Sequence, residues 1–427
     1  VFYSGMSAKE VIAILGIGSA VGCSLVADQA RTASVPADKL AMDTTLLVAR
    51  GADLAAIGNC AACHTREDGK PFAGGRPMKT PFGTIYSTNI TPDTETGIGN
   101  WSSDDFLRTM HKGVDREGRN LYPAFPYDHF TRVTDNDVEA IYAFIMTRER
   151  VRDIPPQNKL SFPMSQRPMI SGWKVLFFER GVYRADPQHD AEWNRGAYLV
   201  EGLGHCGSCH TPRNAMGAEK RSRNLDGGDA EGWDAPALSS ASASPSPWTA
   251  EQLYTYLRQG WDKSHGTAVG PMRPVVHDLS QVPESDVRAI AKYVASNMEG
   301  AKPPSTASAP AADDPTQRKG ETVFKGACAS CHEAAGGDAV QSTKPIPLDV
   351  TTSVNAPEAN NAIRVILEGV WPDSGDKGAL MPGFEGALTE DQLVSLLVYT
   401  RARYGRGPPW GDLPGQVRAI MQPEQSR

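Results

Sequence analysis

Six of the seven cysteines fall into three copies of one pentapeptide: Cys60-Ala-Ala-Cys63-His64, Cys206-Gly-Ser-Cys209-His210 and Cys328-Ala-Ser-Cys331-His332. Two thiols at this spacing can each form a thioether with a haem vinyl group, and the adjoining imidazole is then held beneath the iron. A zinc half-site or a redox dithiol would leave the repeated histidine without a purpose. We therefore expect three covalently bound haem c groups. Cys60, Cys63, Cys206, Cys209, Cys328 and Cys331 would carry them, with His64, His210 and His332 as proximal iron ligands.

The opposite face of each iron needs its own ligand or stays open. Met272 follows Gly260 by twelve positions, and Met381 follows Gly369 by the same twelve. A thioether is a soft ligand that raises the potential of the iron relative to imidazole. A methionine is more often a gap-filler in a core, but the equal offsets favour ligation by Met272 and Met381. The first copy breaks the rule. Twelve positions after Gly113 stands Phe125, which cannot bind iron. His129, four residues later in the same loop, is the best substitute. His111, Met110 and Met78 are poorer ones, and an open or water-bound iron is the remaining alternative.

The elements that must position these groups repeat as well. A helical pattern starting at Trp101-Ser-Ser-Asp-Asp-Phe ends at Gly113, one starting at Trp248-Thr-Ala-Glu-Gln-Leu ends at Gly260, and a third ends at Gly369. Ser or Thr before acidic or amide residues marks a helix start, and glycine marks its end. Further helices are expected over 284–296 and 389–404. The order is a helix, the Cys-x-x-Cys-His motif, a loop and short helix, a Met-bearing loop and a closing helix. It resembles a class I cytochrome c domain. The expected fold is mainly α, with three tandem domains of this kind and loop-rich connectors. The boundaries are a signal or membrane anchor with tether (1–40), domain 1 (41–150), a connector (151–188), domain 2 (189–300), a flexible Pro/Ala/Ser linker (301–315), domain 3 (316–405) and a tail (406–427). The connector contains Trp173-Lys-Val-Leu-Phe-Phe178, read as core between domains or as a surface for a partner or a bilayer. His189, His205, His265 and His277 follow no repeated offset and read as packing or surface residues.

A chain of 427 residues has room for two to four domains. The formal charge of −7 argues against nucleic acid as a partner. No dinucleotide fingerprint, P-loop, metal-hydrolase or nucleophile motif is present. The chemistry is therefore that of the haems. The one long apolar run, 11–27, spans 17 residues, the lower limit for crossing a bilayer. It reads as a secretory signal, as an uncleaved anchor, or as a lipidation signal ending at Cys23. Haem attachment of this type places the protein on the periplasmic face of the bacterial cytoplasmic membrane.

Three segments carry a closer resemblance: Thr80-Pro-Phe-Gly-Thr-Ile-Tyr-Ser-Thr-Asn-Ile-Thr-Pro92, Gly97-Ile-Gly99 and Trp193-Asn-Arg-Gly-Ala-Tyr-Leu-Val-Glu-Gly-Leu-Gly-His-Cys206. Over about residues 45–405 the chain resembles the triheme cytochrome c subunits of periplasmic membrane-bound dehydrogenases. These serve quinoprotein alcohol dehydrogenases, flavin gluconate, sorbitol and fructose dehydrogenases, and molybdopterin aldehyde dehydrogenases. The Pro123-Ala-Phe-Pro-Tyr-Asp-His-Phe130 loop looks most like the last of these. The resemblance implies a catalytic subunit of molybdopterin type, a small iron–sulfur subunit, and ubiquinone as acceptor. The chain itself would be no enzyme but a three-haem electron carrier. Two other readings remain: a peroxidase-like enzyme using an open first haem, and a free periplasmic carrier.

Overall fold

The structure is a computed structural model that describes residues 37–304, 314–333, 347–371 and 380–422. The apolar run 11–27 with Cys23, and most of the predicted 301–315 linker, lie outside the described residues. Residues from Thr44 onward form one compact unit.

The first repeat contains α1 (Ala37–Ile57), α2 (Cys60–His64), a hairpin of β1 (Pro77–Thr80) and β2 (Gly83–Tyr86), α3 (Ser103–Lys112), α4 (Tyr127–Phe130) and α5 (Asp135–Ile145). The connector adds β3 (Lys159–Leu160), paired antiparallel with β2, and α6 (Pro168–Phe177). The second repeat contains α7 (Ala191–Tyr198), α8 (Gly207–His210), a hairpin of β4 (Gly228–Ala230) and β5 (Trp233–Ala235), α9 (Ala250–Gln259), α10 (Met272–Leu279) and α11 (Glu284–Asn297). The third contains α12 (Pro315–Ala327), α13 (Ala329–His332), α14 (Thr352–Asn355), α15 (Asn360–Glu368) and α16 (Glu390–Tyr404), and is followed by α17 (Leu413–Met421). Among the described residues no helix is long and apolar enough to cross a membrane.

The helix starts follow from side-chain chemistry. Ser102 with Asp105, Thr249 with Gln252 and Thr389 with Gln392 close reciprocal capping boxes on α3, α9 and α16. At the other end of α3, Gly113 takes a left-handed φ of 59° and its N–H reaches the Thr109 carbonyl. A side chain there would also run into the Tyr127 ring.

In every repeat the helix before the motif crosses the closing helix at a glycine. A Cβ on Gly51, Gly196 or Gly320 would lie 1.9, 2.0 or 2.0 Å from the carbonyl oxygens of Ala140, Ala289 and Ser395. Only hydrogen fits, so α1 on α5, α7 on α11 and α12 on α16 approach backbone to backbone. Gly196 stands one residue farther from its motif than Gly51 does from its own. A π-helical turn over Leu199–Leu203 takes up residues just ahead of that motif.

The first two repeats share one hydrophobic core. Leu54, Ile57, Val138 and Ile141 of the first pack in the same cluster as Leu199, Leu203, Val287 and Ile290 of the second. Buried Asp137 ties them by charge. It accepts from Arg50 Nε at 2.8 Å within the first repeat and from Tyr198 Oη at 2.7 Å across the junction. The third repeat has a separate core of Ile363, Leu393 and Leu397, completed by Trp410, Leu413 and Val417. The tail, which had no role in the sequence reading, is thus part of the third core as far as Met421. The third repeat docks on β4 and β5 through polar contacts. Arg364 and Asn360 donate to the Gly232 carbonyl, and Asn361 exchanges two hydrogen bonds with the backbone of Asp234.

Candidate functional site

Each motif sits on a short helix, and the six thiols are unpaired. Burial pushes the Cys60 and Cys206 thiols up to about 12 and the Cys209 and Cys328 thiols up to about 11. A reactive or metal-binding thiolate needs the opposite shift. These cysteines are therefore poor nucleophiles and fit covalent thioether positions in an apolar pocket.

The adjoining histidines are oriented by backbone carbonyls. His64 Nδ1 lies 2.7 Å from the Thr88 oxygen, and His210 Nδ1 lies 2.7 Å from the Pro236 oxygen. A carbonyl accepts only, so the proton is on Nδ1 and the Nε2 lone pair is left for a metal. Burial lowers the pKa of both rings and of His332, which keeps them neutral. The buried Nδ1 of His332 has no hydrogen-bond partner among the described residues.

One cavity of about 940 Å³ joins the second and third motifs and reaches Cys63 of the first, but neither Cys60 nor His64 lines it. Its lining includes Cys63 of the first, Cys209 and His210 of the second, and Cys331 and His332 of the third. Met272 and Met381 line it too. Pro271 leads Met272 into the first turn of α10. Met381 is pinned by two backbone hydrogen bonds with Val370 at 2.8 Å each. Leu253, Leu257 and Val294 supply apolar wall. An apolar chamber with thiols at one edge, neutral imidazoles and thioethers fits haem well, and its size is near the upper end for ligand sites.

His129, expected from the sequence as a ligand of the first haem, has protein partners on both ring nitrogens. It is buried, but Nδ1 meets the Glu201 carbonyl at 2.8 Å and Nε2 meets Glu219 Oε1 at 2.9 Å. Its ring lies against Gly207, whose added Cβ would come 2.9 Å from His129 Cε1. Burial alone would lower its pKa; the hydrogen bond and charge of Glu219 prevail and raise it. Glu219 is held low by the same pairing against its own burial. Both ring nitrogens are thus engaged, and the ring lies beside the second motif. The counterpart in the second repeat, Val276, does not line the cavity. His111 is likewise engaged, through Nε2 and the Val133 carbonyl at 2.8 Å.

Phe125 packs against Phe130 with ring centroids 5.2 Å apart. Met110 is buried in α3, three residues before its capping glycine. Leu257 holds the same place in α9 and lines the cavity. Met78 lies on β1, opposite Ile85.

Two histidines read as ordinary prove structural for the site. His265 is buried in a 3.5 Å stack on Trp248 at the cavity wall, and burial pushes its pKa down to about 4. His205 bonds the Gly58 carbonyl at 3.2 Å, which links the approach to the second motif with that of the first, and burial brings it to about 4 as well. The signal for His205 was its place directly before Cys206. Nothing local announces His265.

The cytochrome c family profile matches residues 48–149 and 317–402, which are the first and third repeats. The second repeat shares their helix order and the motif. The chain is 48% identical over 382 residues to a nicotinate dehydrogenase component of Pseudomonas putida, covering 87% of the chain and 32% of that protein. It therefore spans about a third of the length of that relative. It is 36% identical to the fructose dehydrogenase cytochrome subunit of Gluconobacter japonicus, covering 87% of the chain and 82% of the relative. It is also 36% identical to the gluconate 2-dehydrogenase cytochrome c subunit of Pantoea cypripedii, covering 93% and 92%.

Proposed function

The chain belongs to the family of cytochrome c electron-transfer subunits of dehydrogenases, and from that premise we propose that it holds three covalent haem c groups and carries single electrons from a catalytic subunit to ubiquinone. Cys60 and Cys63 with His64 would hold the first haem. Cys206 and Cys209 with His210 and Met272 would hold the second. Cys328 and Cys331 with His332 and Met381 would hold the third, so that the fold is three tandem class I domains. When bound, such haems supply reversible one-electron chemistry. The Thr88 and Pro236 carbonyls orient the proximal rings. The apolar walls exclude water and so favour the less charged form of each site.

The observation that carries this reading is the single cavity lined by Cys206, Cys209 and His210 of the second motif and by Cys328, Cys331 and His332 of the third, which Cys63 of the first also borders. Met272 and Met381, which line the cavity, would supply a further ligand to the second and third irons, and irons so saturated would suit transfer rather than substrate chemistry. The resemblance of the Pro123–Phe130 loop, together with the nicotinate dehydrogenase relative, favours a molybdopterin-type catalytic subunit served by a small iron–sulfur subunit. The setting is the periplasmic face of the cytoplasmic membrane. Affinity purification of the full chain from its native membranes tests this. A molybdopterin subunit and an iron–sulfur subunit should co-purify at fixed stoichiometry, and substrate should reduce the haems until a soluble ubiquinone analogue reoxidises them. A quinoprotein or flavoprotein partner would replace the proposed one, and a chain purified alone would count against any fixed complex.

Phe125 in the place of a methionine favours one second reading, an enzyme with an exchangeable position at the first haem. Cyanide binding to one third of the haem of the oxidised protein, with peroxide turnover, would support it.

A further inference from the structure

We propose that the outer face of the connector, α6 with the loop leading into it, beds into the interfacial layer of a bilayer containing anionic phospholipid. A surface helix ordinarily turns an apolar stripe inward and polar groups outward. α6 does not. Ile170 and Trp173 face inward and are buried, the indole donating to the Met216 carbonyl at 3.0 Å. Met169, Val175 and Leu176 lie on the other side, and Val175 and Leu176 are 86% and 65% exposed. Ile154 and Phe162, earlier in the connector, are 80% and 83% exposed. Exposed apolar groups of this size, gathered in one segment, mark a contact surface.

Charge identifies the occupant. The chain carries a net −7, yet no carboxylate occurs between Ile154 and Phe178, and the two that bound this stretch, Asp153 and Glu179, are paired with Arg66 and Arg221. Lys159, Arg167, Arg180 and Arg184 are exposed around the apolar residues. Cations flanking an apolar helix face are the pattern of a helix lying in the plane of a membrane, where the cations reach phosphates and the apolar side chains enter the acyl boundary. Ten residues make a helix about 15 Å long. That is too short to span and suited to lying flat. Trp173 packs edge-on against Tyr127, and Lys174 donates to the Lys112 and Gly113 carbonyls. The proposed face is therefore fixed rigidly to the first repeat.

This rests on the reading of the chain as a membrane-associated carrier only for its setting, since the test involves no electron transfer and either claim can fail alone. The test uses the full haem-loaded chain in a Cys23→Ser background, with a nitroxide attached at Val175→Cys or, as control, at Glu299→Cys. Residues 11–27 could hold the chain on vesicles by themselves, so the readout is depth at the label rather than binding. With phosphatidylcholine vesicles containing phosphatidylglycerol, the ratio of oxygen to nickel-chelate accessibility at position 175 should rise several-fold. The control should not change. Leu176→Glu should abolish the rise, and Lys159→Glu with Arg184→Glu should abolish its dependence on phosphatidylglycerol. A label at 175 that stays equally open to nickel chelate with vesicles overturns the proposal. So does protection of that label by a purified catalytic subunit in the absence of lipid.

Discussion

Replacing Gly320 with alanine tests whether backbone contact between α12 and α16 sets the third repeat. The added Cβ would sit 2.0 Å from the Ser395 oxygen and 2.7 Å from the Tyr399 Cβ. An ordinary carbon–oxygen contact is more than 1 Å longer, so the two helices must part by about 1 Å across a core packed to crystal density. Phe324, buried between Tyr399 and Tyr404, would lose contact on both sides. Overpacking of this kind costs about 2–3 kcal/mol. Helix propensity works the other way and favours alanine by about 1 kcal/mol. The net loss of about 1–2 kcal/mol should lower the melting temperature of a domain this size by about 10 °C. Gly326, in the same helix, has nothing within 4 Å of an added Cβ. Gly326→Ala should therefore leave melting unchanged or raise it slightly. Calorimetry of the two variants beside the parent reads the sign directly. If Gly320→Ala melts at or above the parent, propensity has won and the close crossing is refuted.

Phe125→Met should place a thioether where the first repeat lacks one and raise one of the three midpoint potentials while leaving the other two; a redox titration with all three midpoints unchanged would contradict this. Replacing both Cys328 and Cys331 with serine should lower covalent haem from three groups per chain to two, measured as haem retained after acid extraction against protein concentration. The His129–Glu219 pair makes a signed pH prediction. The His129 pKa is raised on folding, so its contribution is fully present below the ordinary histidine range and is lost as pH rises through the folded value. Glu219, whose pKa is lowered, stays ionised throughout that window. His129→Gln should therefore cost more stability at about pH 6 than at about pH 9, and denaturant melts showing an equal loss at both would argue against the ion pair.

The sequence made the local grammar readable. The caps at Ser102, Thr249 and Thr389 and the glycine stop at Gly113 all depend on chemistry within a few residues. The junctions were not readable. The partners that hold His129, Glu201 and Glu219, are 72 and 90 residues away. The shared core of the first two repeats has the same cause. A stripe of Leu and Ile states that a face is buried without stating against what, and the polar groups that mark the junction, Asp137 with Tyr198 and His205 with the Gly58 carbonyl, are far apart in sequence. Gly51, Gly196 and Gly320 could have been found by looking eight to ten residues before each motif. Their unequal spacing, one residue of it spent in the π-helical turn, hid the repeat.

The common cavity also bears on how the protein is made. Cys209 and His210 of the second motif and Cys331 and His332 of the third line the same cavity, so a haem bound at either motif would form part of the wall of the other's pocket. Attachment at one would then change the apolar surface left at the other. The hold of α15 on β4 and β5 is independent of that order, because Asn360, Asn361 and Arg364 make it with the backbone of the hairpin.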